Sequence, residues 1–116
     1  MQGIGLPAVV ARTIDDAGRL QLSLQLDCDL PCFAGHFPGL AVLPGVAQLA
    51  WAVHFAAAQW QLPALIAQAE VLKFQKLARP PMLLTLQLEK RGDKVLFSFD
   101  SEQGRHASGR LAYGAP

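Results

Sequence analysis

Between Pro44 and Gln61 the chain is rich in Ala, Leu and Gln, and after its first two positions it contains no glycine or proline. Pro44 at the start and Pro63 beyond the end bracket a helix of about five turns. Val46, Leu49, Trp51, Val53, Phe55, Ala56 and Trp60 point in almost every direction around that helix. A helix apolar all round is buried nearly all round rather than lying on a surface, so a sheet must wrap it.

Period-two patterns on both sides supply the sheet. Leu20, Leu22, Leu24 and Leu26 alternate with Gln21, Ser23 and Gln25, which turns one face of a strand inward. The turn Asp15-Asp16-Ala17-Gly18 precedes it, so the apolar stretch Leu6 to Ile14 reads as its hairpin partner. Downstream, Leu84, Leu86 and Leu88 alternate with polar residues, Arg91-Gly92-Asp93 turns the chain, and Val95, Phe97 and Phe99 continue at the same period. A second turn, Glu102 to Arg105, leads to a last strand through Leu111 and Tyr113, and His106 beside that turn reads as a surface histidine. Leu65 to Gln75 makes one more, mostly apolar, strand, closed by Arg79-Pro80-Pro81. One hairpin, one long buried helix and an antiparallel meander define an α+β chain.

The 116 residues fit one domain, 1–116. With 52 % apolar and 16 % charged residues, the chain carries more apolar side chains than a core of this size needs, which points to an oligomer of at least two subunits. A net charge of +1 without a basic stripe argues against nucleic acid as a partner. The longest apolar-rich segment, Leu40 to Trp60, is broken by Pro44, Gly45, Gln48 and His54, so no membrane span is expected. The N-terminus lacks a secretion signal, which leaves a soluble, cytoplasmic protein as the expectation. Cys28 and Cys32 stand four apart without the further ligands that a structural zinc requires; they read as free thiols of a reducing compartment, with no metal or cofactor implied.

The least ordinary stretch is Phe33-Ala34-Gly35-His36-Phe37-Pro38-Gly39-Leu40-Ala41-Val42-Leu43-Pro44-Gly45-Val46. Prolines and glycines crowd around one histidine immediately before the helix, so the backbone there is shaped for a specific purpose. Spacing alone leaves two readings open, a tight loop with a structural histidine and a catalytic loop. Histidine is a base titrating near neutral pH. A helix N-terminus has unpaired N–H groups that favour an anion. Together they can remove a proton and hold the negative charge that results.

The run Gly-His-Phe-Pro-Gly-x-x-Val-Leu-Pro-Gly-Val resembles the motif of the 3-hydroxyacyl-acyl-carrier-protein dehydratases, hotdog-fold proteins of fatty-acid synthesis. Val46-Ala47-Gln48-Leu49-x-Trp51 is more similar to the dehydratase-like proteins of aryl polyene clusters, and the likeness extends to Glu70 to Phe74 and to Arg79-Pro80. Ala41 departs from the usual proline. The resemblance implies a hotdog fold, an antiparallel sheet wrapped around one long central helix. It implies that His36 removes the proton beside the thioester carbonyl, that the Gly45 N–H receives the carbonyl oxygen, and that the Val42 carbonyl holds the histidine tautomer, with Phe37 and Pro38 shaping the loop.

The family's helix acid, fourteen residues after the histidine, is Ala50 here. The nearest polar groups are Gln48, rotated to another face, and His54, one turn further along the same face. His54 is either a satisfied core histidine or, through a water, a proton source. The resemblance also implies a dimer in which each site takes its histidine from one chain and its acid from the other. A homodimer would then have two acid-less sites, and a heterodimer with an acid-bearing paralogue one intact site. Lys73, Lys76 and Arg79 are candidates for contact with an acidic acyl carrier protein, or are a solvated strand edge. Two functions follow from the resemblance: a hydro-lyase acting on a 3-hydroxyacyl thioester, or a catalytically weak subunit or acyl-binding module that completes a partner's site. A hotdog thioesterase is less well supported, because the His-Phe-Pro-Gly motif is not theirs.

Overall fold

The structure is a computed structural model, and it describes residues 5–30, 41–63 and 65–113. Strands β1 (Ala8–Ile14) and β2 (Leu20–Leu26) form the first hairpin. The Asp15 carboxylate closes its turn, accepting the N–H groups of Ala17 at 2.9 Å and Arg19 at 3.0 Å. Gly18 supplies the left-handed backbone that the turn needs, at φ +81°. Helix α1 (Gly45–Trp60) follows, then β3 (Gln68–Phe74), β4 (Met82–Arg91), β5 (Lys94–Ser101) and β6 (Gly104–Ala112). The strands make one antiparallel sheet in the order β1-β2-β4-β5-β6-β3.

The period-two leucines set the register. Leu22 stands opposite Leu86 and Leu24 opposite Leu84, while Leu86 faces Phe99 and Leu88 faces Phe97 across the next pair. These side chains are all buried and meet Leu43, Ala47, Trp51, Ala52 and Ala56 of the helix side. The Trp51 indole N–H donates to the Gly5 carbonyl at 2.7 Å, tying the helix to the segment ahead of β1. At its other end α1 stops where Gln61 turns left-handed (φ 55°) and gives its N–H to the Ala57 carbonyl.

Two sequence expectations need correction. Helix α1 is not buried all round within one chain: Val46, at 66 % exposure, lies on an open face with Ala50, His54 and Ala58. The spacing of four places these residues in one stripe, and the sheet covers only the opposite side. His106 is not a surface residue. It is fully buried in β6, with Nε2 2.6 Å from the Ser101 hydroxyl and Nδ1 3.1 Å from the Lys76 carbonyl. Its position beside a turn suggested exposure, but the chain leaving β3 runs over it, and the His106 carbonyl accepts the N–H groups of Gln75 and Lys76.

The strand expected over Leu65 to Gln75 is shorter and forms an edge of the sheet, so its apolar residues Val71, Leu72 and Phe74 are exposed. Glu70 anchors this edge. Its carboxylate accepts from Arg110 at 2.7 Å, Lys94 at 3.0 Å and Gln68 at 2.7 Å. The Lys94 hydrogen bond, then those of Arg110 and Gln68, pull the Glu70 carboxyl down to about 2. A carboxylate depressed in the folded state contributes stability above its unfolded value of 4.5 and loses it as pH falls toward 2. Acid unfolding of the wild type is therefore expected to steepen between those values, and Glu70→Gln to flatten it. Identical acid profiles for the two proteins, followed by circular dichroism, would contradict the assignment.

Candidate functional site

The start of α1 is built without the usual cap. Pro44 occupies the N-cap in an extended conformation, offers no side-chain acceptor, and the first turn holds no acidic residue. The N–H groups of Ala47 and Gln48 reach the Pro44 carbonyl at 3.1 and 3.2 Å. Those of Gly45 and Val46 have no acceptor among the described residues, so the helix end keeps its partial positive charge. The segment ahead of it is fixed from below. Leu43 donates to the Ala78 carbonyl at 2.8 Å, and Val42 and Leu43 are both buried.

A cavity of about 300 Å³ opens beside this helix end, lined by Leu43, Gly45, Gln48, Phe74, Gln75, Lys76 and Leu77. Gly45 packs closely here: a Cβ would stand 3.0 Å from two ring atoms of Phe74, which would have to give way. Gln48, one turn into the helix, is buried. Leu43, Phe74 and Leu77 thus give the cavity apolar walls beside the polar Gln48, Gln75 and Lys76, and Gly45, whose N–H has no acceptor among the described residues, stands at its edge. Such a site can hold an acyl chain and take a developing negative charge on an oxygen.

The expected site residues separate into groups. Gly45 and Gln48 line the cavity, with Val42 buried beside it. Ala50 and His54 do not line it; they are exposed on the open stripe of α1, where the His54 ring packs edge-on against Phe55 at 5.0 Å. His36, Phe37 and Pro38 lie outside the described residues. Of the three cations, Lys76 borders the cavity and gives its ammonium to the Gln103 carbonyl at 2.7 Å. Lys73 lines a separate groove with Arg105, Ser108 and Arg110, and Arg79 is exposed. The three therefore do not form one cluster. Sequence reasoning missed Phe74, Gln75 and Leu77 as cavity walls, because β3 becomes part of the site only through its pairing with β6.

A family model of the ApeI-like type, described as ApeI dehydratase, matches residues 12–110. The chain belongs to the ApeI-like dehydratase family. Among solved structures, this ApeI-like chain is similar to the dehydratase heterocomplex ApeI:P from Xenorhabdus doucetiae, with 29 % identity and a TM-score of 0.80, covering 91 % of this chain and 96 % of that one. It is similar to an uncharacterized protein from Erwinia carotovora subsp. atroseptica at 31 % identity and a TM-score of 0.76, covering 92 % and 94 %. The dehydratase domain of PpsC from Mycobacterium tuberculosis, in complex with C12:1-CoA, shares the fold at 20 % identity and a TM-score of 0.73, covering 97 % of this chain and 45 % of that one. No curated protein matches significantly. The six-stranded antiparallel sheet with one helix packed on it is the hotdog fold of these dehydratases, as the sequence motif implied, and the family supports activity of the hydro-lyase type. No helix among the described residues is long and apolar enough to cross a membrane.

Proposed function

We propose that this chain acts on a 3-hydroxyacyl thioester, presented by an acyl carrier protein in fatty-acid or polyene-type biosynthesis, and forms the trans-2-enoyl product. The observation that carries the reading is the uncapped, acid-free start of α1 beside a cavity walled by Leu43, Phe74 and Leu77, directly after the His36 motif in the sequence. In this reaction His36 takes a proton from C2, and the electron pair moves into the thioester carbonyl. Its oxygen becomes an oxyanion held by the Gly45 N–H; the pair then returns to form the C2=C3 double bond, and the 3-hydroxyl takes a proton from a carboxylic acid of the partner subunit and leaves C3 as water. The Val42 carbonyl holds the imidazole in its working tautomer. Exposed Lys76 at the cavity supports contact with an acidic carrier protein, and Lys73 and Arg79 are exposed as well.

A second reading, that of a weak subunit completing a partner's site, is favoured by one specific feature. The helix position that carries the acid in relatives is Ala50, and it lies on the open stripe with Val46 and His54 rather than in the cavity. The unpaired edge of β3 exposes Val71 and Phe74 nearby in sequence to the cavity wall, and an open apolar edge of this kind calls for a partner strand. A homodimer, or a heterocomplex such as the one described for ApeI:P, covers both features. In a heterodimer the partner supplies the carboxylic acid opposite His36.

The test is conversion of a 3-hydroxyacyl thioester by the wild type, by Ala50→Glu, and by each mixed with an acid-bearing paralogue. Wild type alone is expected to be slow, and Ala50→Glu faster, because a carboxyl covered by a partner has a raised pKa and stays protonated for the leaving hydroxyl. Wild type turning over alone at ordinary enzyme rates would show that another group supplies the proton, with His54 the first to replace. No turnover in any mixture would overturn the substrate assignment.

A further inference from the structure

Gln48 is only 4 % exposed, and its Oε1 has no hydrogen-bond partner among the described residues. A buried amide oxygen without a donor costs folding free energy, and its helix neighbours Ala47, Leu49 and Trp51 show that this stretch otherwise carries apolar side chains. Among the described residues, no donor of the cavity lining reaches Gln48 Oε1. Leu43, Phe74 and Leu77 are apolar walls, the N–H groups of Gln75 and Lys76 are given to the His106 carbonyl at 2.8 and 3.3 Å, and the Lys76 ammonium is given to Gln103. The uncapped helix end contributes N–H groups at Gly45 and Val46, but these point along the axis, away from residues further into the helix.

We propose that Gln48 is a specificity-determining residue whose Oε1 accepts a hydrogen bond from the 3-hydroxyl of the bound acyl thioester. The inference rests on the reading of the cavity as a 3-hydroxyacyl thioester site. Gly45 and Gln48 are three residues apart on one helix face, a separation of about 5–6 Å between neighbours, which the short C1-to-C3 span of a 3-hydroxyacyl group bridges. With the carbonyl oxygen at Gly45, the hydroxyl falls toward Gln48. The same contact sorts substrate from product: once the hydroxyl has left as water, the enoyl chain has no donor for Oε1, and the buried acceptor is unpaired again. Saturated chains fail for the same reason.

Isothermal calorimetry on the full chain, in the assembly in which it purifies, tests this with two ligands that do not turn over: the amide analogues of 3-hydroxyoctanoyl-pantetheine and octanoyl-pantetheine. Wild type is expected to bind the hydroxylated ligand about tenfold more tightly, the worth of one hydrogen bond to a buried acceptor. Gln48→Leu and Gln48→Met should bind both ligands alike, at about the wild-type affinity for the octanoyl analogue. Both variants should melt at or above the wild-type temperature, because the Gln48 side chain makes no hydrogen bond to the described residues and the orphaned acceptor is removed. Equal binding of the two ligands by wild type, an equal loss of both in the variants, or a lower melting temperature in both variants overturns the proposal while leaving the acyl-thioester reading standing. Binding of neither ligand by wild type overturns that reading and the proposal with it.

Discussion

Replacement of His36 by alanine is expected to lower dehydration, alone or in a mixed dimer, by about 10²–10⁴-fold, the usual loss when a well-placed general base is removed. The argument is one of acidity. The proton next to a thioester is weakly acidic, and imidazole is the side chain whose ordinary pKa lets it take that proton near neutral pH. In the proposed reaction the Gly45 N–H would stabilise the charge that results but cannot remove the proton, so the two groups are not interchangeable. His36 precedes Gly45, the first residue of α1, by nine positions in the sequence, and the described core that joins α1 to β2, β4, β5 and β6 is made of apolar side chains. His36→Ala should therefore keep the wild-type circular dichroism and melting profile. Unchanged turnover in a folded variant would remove His36 from the mechanism.

The largest expected effect on stability belongs to Trp51→Ala. Trp51 is 1 % exposed at the centre of the cluster formed by α1 and the leucines of β2 and β4. Truncating a buried tryptophan costs about 3–5 kcal/mol through lost transfer energy and the cavity left behind. The variant also orphans the Gly5 carbonyl, which accepts the indole N–H at 2.7 Å. Against a total stability of about 5–15 kcal/mol for a domain, much of the folded margin goes. Urea denaturation should show the midpoint falling steeply, whereas Val46→Ala, on the open stripe of the same helix, should leave it nearly unchanged. A Trp51→Ala midpoint within error of wild type would contradict the packing described here.

The elements legible in the sequence were those governed by local chemistry. Alternation of leucine with Gln and Ser marked β2 and β4, the Asp15 to Gly18 turn marked the first hairpin, and Pro44 and Pro63 bracketed α1 to within a residue at each end. The motif from Gly35 to Val46 led to the family that residues 12–110 match. His106 was misjudged because nearness to a turn says nothing about what crosses above it. Gln48 was seen only as a residue rotated away from Ala50, and that rotation is what buries it against the cavity while Ala50 and His54 stay open.

By itself, then, the sequence determined the element order, the hotdog class and the start of α1, since periodicity, turn residues and a contiguous motif are properties of neighbours along the chain. Only the tertiary structure decided which face of α1 the sheet covers, that β3 becomes an edge through its pairing with β6, and that Phe74 closes on Gly45 to wall the cavity. Those contacts join residues about thirty to forty-four positions apart, and their existence depends on how the sheet is ordered, which local pattern does not encode.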